Sequence, residues 1–276
     1  MTIRRDNFRA VQTLLAEQTQ NELSDDKDYL VETRLAPVAS SYGLPSVDAL
    51  IERLRGTPDR HLLRTVIEAL LIHETFFFRD PATFQYLEET VLPRLCQARL
   101  ASRSLSIWSA ACSSGQEAYS IAISLADRMP HVVAGWNVRL VGTDASSAMI
   151  ARARLGTYSP HEISRGPFAD RVLRHTREEH GEYGLSDSLR KMIEFREWNL
   201  TGGPLFGQWD IVFLRNVLIY FPEEFRRSLL TRLHRCLRPD GVLFVGASES
   251  AQLQADLFQP LDPACHTCLS PIEGPH

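Results

Sequence analysis

Apolar residues recur at helical spacing from Asp6 to Ile72 and predict four helices in succession. Phe8, Val11 and Leu15 mark one face, and Leu30, Leu35, Val38 and Tyr42 a second. Leu50, Ile51 and Leu54 mark a third, and Leu62, Leu63, Val66, Ile67, Leu70 and Leu71 a fourth. Ser46 stands where the third helix begins, and Thr57-Pro58-Asp59 offers the fourth an N-cap, a first-turn proline and an early acid. Gly43-Leu44-Pro45 and Gly56 punctuate between them. Residues 1–72 are therefore expected to form a small all-helical domain, whose periodicity does not say what it binds.

Beyond His73 the pattern changes. Asp80-Pro81 opens a helix with Phe84, Leu87, Val91 and Leu95 on one face, so 73–98 reads as an interdomain segment and helix. From 99 to 276 short apolar runs alternate with helical stretches. Leu105–Trp108 is followed by a helix bearing Ala118, Ile121, Ala122 and Leu125, and Val138–Val141 by a helix from Ser146 to Leu155. Met192–Trp198 and Trp209–Leu214 read as the third and fourth strands. A helix from Glu223 to Leu237 then stops at Pro239-Asp240-Gly241 before the strand Val242–Val245, and a strand pair closes the chain. This alternation predicts an α/β, doubly wound, Rossmann-like domain. Between about 156 and 189 turn residues and charges interrupt the pattern, which predicts a small insertion on the rim of the sheet.

Candidate chemistry sits where the strands end. The first strand runs into Ser109-Ala110-Ala111-Cys112-Ser113-Ser114-Gly115, with Gln116 and Glu117 in the first turn of the next helix. This turn has one glycine and lacks the G-x-G-x-x-G of dinucleotide folds. Small side chains let a ligand approach the backbone, and Gly115 supplies a conformation other residues reach only at a cost. A carboxylate at Glu117 suits a ligand with a cationic amine and no phosphate, which describes S-adenosylmethionine; the alternative is a joint closed for packing. Asp144 ends the second strand, where an acid can take ribose hydroxyls or cap a helix. Phe76-Phe77-Phe78 before Arg79-Asp80 reads from composition as a hydrophobic hinge.

Composition bounds the rest. The 276 residues suffice for two domains, and 44% hydrophobic with 23% charged is ordinary for a globular protein. A net charge of -4 and a pI near 6.1 disfavour wrapping of nucleic acid. No apolar run follows the charges of the N-terminus and no segment approaches a membrane span, so a cytoplasmic protein without membrane insertion is expected. Cys96, Cys112, Cys236, Cys265 and Cys268 form no framework spacing. Cys265-His266-Thr267-Cys268 lacks the second ligand pair that structural zinc needs, and no metal is expected.

Four motifs, in order, carry a family likeness: Thr75-x-Phe77-Phe78-Arg79-Asp80, Ser109 through Ser120, Asp210 through Phe221, and Leu237-Arg238-Pro239-Asp240-Gly241. The chain resembles the CheR-type chemoreceptor protein-glutamate O-methyltransferases over nearly its whole length. The resemblance implies a methyltransferase domain with S-adenosylmethionine as cofactor, converted to S-adenosylhomocysteine, and bound by His73, Thr75, Arg79, Glu117, Asp144, Asn199, Leu200, Arg215 and Asn216. It implies that Arg79 and Tyr220 lie beside the transferred methyl group and that the aromatic run forms the lip of the site. It further implies a monomer acting on glutamates in the helical cytoplasmic domain of a chemoreceptor or related signalling protein. Arg53, Arg55, Arg60 and Arg64, with Arg171, Arg174 and Arg177 of the insertion, would face its acidic helices. The chain departs from the family at His73 (often Asn), Gln116 (usually an acid), Ala118 (commonly Pro) and Ala145-Ser146 (usually Ile-Asp). Competing expectations are a methyltransferase of a small molecule or nucleic acid, and a signalling protein that binds the cofactor without turnover.

Overall fold

A computed structural model of the protein describes residues 3–56, 59–202, 205–250, 256–263 and 265–272. The chain forms two compact units, one running to Ile72 and taking in Tyr220–Phe225, the other comprising His73–Ile219 and the chain from Arg226 onward. The first holds α1 (Arg5–Thr19), α2 (Asp28–Ser41), α3 (Val47–Gly56) and α4 (Arg60–Leu70). Phe8, Val11, Val31, Leu35, Leu50, Leu62 and Val66 meet in one core. The cap of α4 is Asp59, whose carboxylate accepts from the His61 and Leu62 amides at 3.0 Å. Such a cap contributes about 1 kcal/mol. Thr57 and Pro58 lie outside the described residues.

The second unit opens with α5 (Pro81–Tyr86) and α6 (Leu92–Ala98), joined by a π-helical turn over Leu87–Val91 where one continuous helix was expected. The wider turn keeps Leu87, Val91 and Leu95 buried and also carries Glu88 inward. Glu88 accepts from Ser124 Oγ at 2.7 Å, Arg128 Nε at 3.0 Å and Arg171 Nη1 at 2.7 Å.

The sheet strands are β1 (Ser104–Ala110), β2 (Asn137–Asp144), β6 (Ile193–Glu197), β7 (Trp209–Leu214), β8 (Leu237–Val245), β9 (Phe258–Asp262) and β10 (Cys265–Pro271). Their order is β6-β2-β1-β7-β8-β10-β9, parallel except for β10, which runs antiparallel to both neighbours. α7 (Gln116–Arg128) and the short α8 (Pro130–Gly135) follow β1, and α9 (Ser147–Leu155) follows β2. α10 (Pro160–Ser164), α11 (Ala169–Leu173) and α12 (Asp187–Met192) are short helices before β6, and α13 (Glu223–Cys236) follows β7. Every residue of β7 is buried, as a central parallel strand requires. The order reverses between β1 and β7, so their carboxyl ends flank the switch-point crevice where ligands bind in such folds.

Pro239-Asp240-Gly241 lies inside β8 instead of preceding it. Leu237 pairs with Trp209, the register shifts, and Ile211–Leu214 then pair with Val242–Val245. An interrupted ladder accommodates a proline that has no amide to donate.

The insertion folds as a sheet of its own, β3 (Thr157–Tyr158), β5 (Glu182–Leu185) and β4 (Thr176–Glu179) in that order and antiparallel. It is built onto the segment before Asp80. Phe77 meets Tyr158 edge-on at 5.0 Å and Phe78 meets Phe168 at 5.4 Å. A Cβ on Gly166 would stand 2.3 Å from the Phe77 carbonyl oxygen, so only glycine fits there. Phe77 and Phe78 are accordingly core residues, 1% and 0% exposed, and form neither a lip nor a hinge; Phe76 alone of the three is partly exposed. Arg171 is corrected too. It pairs with Glu88 and Asp127, and its side chain is too enclosed to serve as a rim charge. Among the described residues no helix is long and apolar enough to cross a membrane.

Candidate active site

The turn after β1 is wound by alternating left-handed residues, Ala111 at φ 57°, Ser113 at φ 50° and Gly115 at φ 96°. Ser113 donates its amide to Asp144 Oδ2 at 2.8 Å and its hydroxyl to the His73 carbonyl at 2.9 Å. Asp144 Oδ1 accepts from the Ser146 amide at 2.9 Å. The cap of α9 is Ser146, which accepts from Met149 N at 3.2 Å, so Asp144 is not spent as a helix cap. Gly115 answers to packing as well as conformation. A Cβ there would lie 2.9 Å from Ala153 Cβ, so close backbone approach here is to α9.

Glu117 stands in the first turn of α7 and accepts from Ser109 Oγ at 2.7 Å and Arg215 Nη1 at 3.1 Å. Arg215, at the end of β7, has a side chain only 1% exposed. Its Nη2 donates to the Arg79 carbonyl at 2.9 Å and to the Asp80 carboxylate, and its guanidinium lies 5.8 Å from the Phe84 ring centre. Arg215 Nε is buried and has no acceptor among the described residues. The network ties three segments together: the turn after β1, the end of β7, and the run from His73 to Asp80. Phe78 (φ 52°) and Asp80 (φ 60°) hold that run in strained backbone, and Asn216 (φ 59°) does the same after β7. Such conformations cost roughly 1–3 kcal/mol each and persist where surrounding structure demands them.

Arg79 itself is half-buried. Its Nη1 donates to the Glu74 carbonyl at 3.0 Å, and its guanidinium lies 5.6 Å from the Phe76 ring centre. Thr75 lies on the same segment, between His73 and Arg79. Asn199 and Leu200 follow β6, which the Trp198 amide ties to the Asp144 carbonyl at 2.8 Å. Asn199 Oδ1 closes a turn on the Thr201 amide at 2.9 Å, and the Leu200 carbonyl accepts from Arg232 at 3.0 Å. Tyr220 closes a short 3-10 turn, Leu218–Tyr220, and belongs to the helical unit, where its carbonyl accepts from the Glu22 amide at 3.0 Å.

The electrostatics are unbalanced at this edge. Burial pushes the Glu117 carboxyl above its ordinary value, and Arg215, Ser109 and Arg79 offset that only in part. Burial raises Asp144 likewise, against the amides of Ser146 and Ser113 and the charge of His73. Burial pushes the Cys112 thiol well up, and the negative charges of Asp144 and Glu117 add to it. Two under-compensated carboxylates at neighbouring strand ends fit a ligand that brings positive charge and hydroxyl donors. Two amides of the turn are already used, Ser113 on Asp144 and Gly115 on the Cys112 carbonyl at 3.0 Å, so it is not an open phosphate cradle. The departure at Gln116 has a local reason: Nε2 faces Glu162 Oε1 at 3.4 Å and Oε1 accepts from Ser114 Oγ at 2.9 Å, and an acid would set carboxylate against carboxylate.

Two residues of this network were not legible as site residues. Asp80 read as the start of a helix, yet its side chain makes no cap and turns to Arg215. Glu249 carried no signal beyond being an acid after the Gly-Ala-Ser that ends a buried strand. It is fully buried and holds the amides of Asn216, Val217 and Leu218, each at 2.7 Å.

A doubly wound sheet with carboxylates at or beyond the ends of its first two strands suits the Rossmann-like, S-adenosylmethionine-dependent methyltransferases. Residues 73–264 match the family model described as CheR methyltransferase, SAM binding domain, and residues 6–71 match CheR methyltransferase, all-alpha domain. "Chemotaxis protein methyltransferase 1" of Pseudomonas aeruginosa is 37% identical over 243 residues, 86% of this chain and 87% of that protein. "Chemotaxis protein methyltransferase" of Vibrio parahaemolyticus is 34% identical over 266 residues, 94% of each chain. The protein of the same name from Borreliella burgdorferi is 31% identical over 232 residues, 83% of this chain and 82% of that one. The chain belongs to the CheR methyltransferase family, and it is an enzyme with S-adenosylmethionine as its cofactor.

Proposed function

We propose that the protein methylates side-chain carboxylates of glutamates in the helical cytoplasmic part of a chemoreceptor or related signalling protein. The observation that carries this reading is the Arg215 hub. It binds Glu117, Asp80 and the Arg79 carbonyl at once, and so joins the carboxylate end of the sheet to the segment bearing Arg79. The relatives named for chemotaxis supply the biological setting.

S-adenosylmethionine, when bound, supplies an electrophilic methyl on a sulfonium. A glutamate acceptor has an ordinary pKa of about 4.3 and is ionised at neutral pH, so no side chain need remove a proton. Transfer to such an acceptor would exchange one C–S bond for one C–O bond, with the electron pair going to sulfur. The protein's task is in-line placement, worth up to roughly 7–11 kcal/mol. In this reading Glu117 would take the cofactor's ammonium or a sugar hydroxyl and Asp144 its ribose hydroxyls, while His73, Thr75, Asn199, Leu200, Arg215 and Asn216 would complete its surroundings. The Arg79 guanidinium, which donates to the Glu74 carbonyl, would take the acceptor carboxylate in charge-assisted hydrogen bonds. Tyr220 orients the carboxylate or the cofactor, as the family likeness implies. Exposed Arg53, Arg55, Arg60 and Arg64 of the helical unit, and Arg174 and Arg177 of the insertion, suit an acidic partner and would act mainly on association rate.

The test is incubation with labelled S-adenosylmethionine and receptor fragments. Base-labile label should appear and vanish when the acceptor glutamates become alanine. Label stable to mild alkali, or transfer to RNA or a metabolite, would show the reading to be wrong. In Arg79→Ala, kcat should fall by at least about a hundredfold while the S-adenosylhomocysteine Kd moves less than about threefold. Equal loss of both would confine Arg79 to cofactor binding.

A further inference from the structure

Glu249 is a buried carboxylate whose four hydrogen bonds all come from the backbone. Oε1 accepts from the amides of Val217 and Leu218, and Oε2 from those of Asn216 and Gly246, every one at 2.7 Å. An ionised carboxylate has about four lone-pair sites, so its capacity is filled. The residue is 0% exposed, and a charge so placed is tolerable because four amide dipoles point at it.

The donors come from two places. Three follow one another just past β7, and the fourth is just past β8. With Asn216 at φ 59°, successive amides converge into a concavity of the kind that binds anions in other proteins. Here the anion is the protein's own side chain. Gly246 belongs to the same device: a Cβ there would lie 2.6 Å from Glu249 Oε2 and 2.9 Å from Asn216 Nδ2.

We infer that Glu249 is a positioning residue, whose carboxylate gathers the amides after β7 and thereby fixes how Arg215 and Asn216 are presented to the cofactor. Without it, the turn would have to hold Asn216 in left-handed backbone and leave three buried or half-buried amides unmet. Arg215 is the residue immediately before that turn, and its guanidinium must reach Glu117, Asp80 and the Arg79 carbonyl together. A rotation of the turn would break those bonds while leaving the sheet intact. The inference rests on the reading of Arg215 and Asn216 as cofactor-bearing.

Glu249→Gln is the sharp variant. It keeps the shape, but both oxygens each serve two amides, so either orientation of the new amide sets an NH2 against two N–H donors. Amide hydrogen exchange followed by NMR reads the turn directly, and calorimetry with S-adenosylhomocysteine reads the site. In the native enzyme the amides of Asn216, Val217, Leu218 and Gly246 should be strongly protected. In Glu249→Gln their protection should fall at least about a hundredfold. S-adenosylhomocysteine affinity should fall about tenfold or more, and the KM for S-adenosylmethionine should rise in step. The KM for the receptor fragment should stay within about twofold, whereas a merely structural defect would lower the folded fraction and leave both KM values alone. Gly246→Ala, which displaces the carboxylate instead of replacing it, should act the same way and serves if Glu249→Gln does not fold.

Native amides that exchange as fast as an open loop would overturn the inference. So would loss of protection with unchanged S-adenosylhomocysteine affinity, provided Asp144→Ala binds weakly in the same assay. If Asp144→Ala also binds like the native enzyme, the reading of the whole site falls and this inference with it.

Discussion

The two ends of β7 make an instructive pair. At its start Asp210, whose side chain is 2% exposed, accepts from Arg99 Nε at 2.8 Å and from the Ser106 amide and hydroxyl at 2.7 Å. Arg99 also forks onto both oxygens of Asp240, at 2.8 and 2.6 Å. At its end Arg215, as deeply buried, meets Glu117, Asp80 and a carbonyl. Both ends use an arginine between carboxylates, yet the outcomes oppose each other. The Arg99 fork, with only a smaller opposing push from burial, holds Asp240 below its ordinary value, and Asp240 in turn raises Arg99. At the other end burial wins, and Glu117 and Asp144 stay raised. A closed ion pair fastens strands; an edge left short of positive charge is ready for a ligand that brings it. In the proposed reading the carboxyl edge of the sheet is therefore the chemical one, and the amino edge is a clasp.

The largest effect should come from Arg215→Ala. Removing one partner of a buried cluster costs about 3–5 kcal/mol of stability, and S-adenosylhomocysteine binding should weaken by more than about a hundredfold. Calorimetry and chemical denaturation measure the two; retained affinity would make the two ends of β7 equivalent. Arg99→Ala should cost less stability, about 1.5–3 kcal/mol, because Asp210 loses its closer arginine but keeps Arg238 Nε at 3.3 Å. Its cofactor affinity should nevertheless stay within about twofold of native, and a larger change would mean the clasp reaches the site.

The smallest effect is a difference in pH response. Asp240 is depressed below its ordinary 3.8, so its pairing stabilises the fold above that value and is lost as pH falls through the folded value. Glu117 and Asp144 are raised above 4.5 and 3.8, so their contribution is full below those values and is lost as pH rises through the folded ones. Cofactor binding favours their ionised forms, and S-adenosylhomocysteine affinity should therefore climb with pH above 4.5. Titration calorimetry on the native enzyme and Asp144→Ala tests this: a slope that the substitution leaves unchanged would detach Asp144 from the effect.

Much of the molecule could be read from its amino acids. Helical spacing placed the four N-terminal helices, and short apolar runs placed β1, β2 and β7, because burial on one stripe or on two faces leaves a mark in the sequence. Asp144 and Arg215 stood out as polar residues that close apolar strands, and Glu117 as the acid in the first helical turn after β1. The insertion left no such mark, since short strands such as Thr176–Glu179 are almost wholly exposed and alternate nothing. The π-helical turn was invisible because Phe84, Leu87, Val91 and Leu95 satisfy a regular helix equally well.

Spacing along the chain thus determined which residues face a core and which punctuate it, because that choice depends on near neighbours. Tertiary structure alone decided the partners. Phe77 and Phe78 went into the core because the insertion covers them, Arg171 was withdrawn from the surface by Glu88 and Asp127, and Glu249 was drawn to amides 31 to 33 positions away. A charge is buried only where distant backbone or an opposite charge meets it, and no local pattern records where that will be.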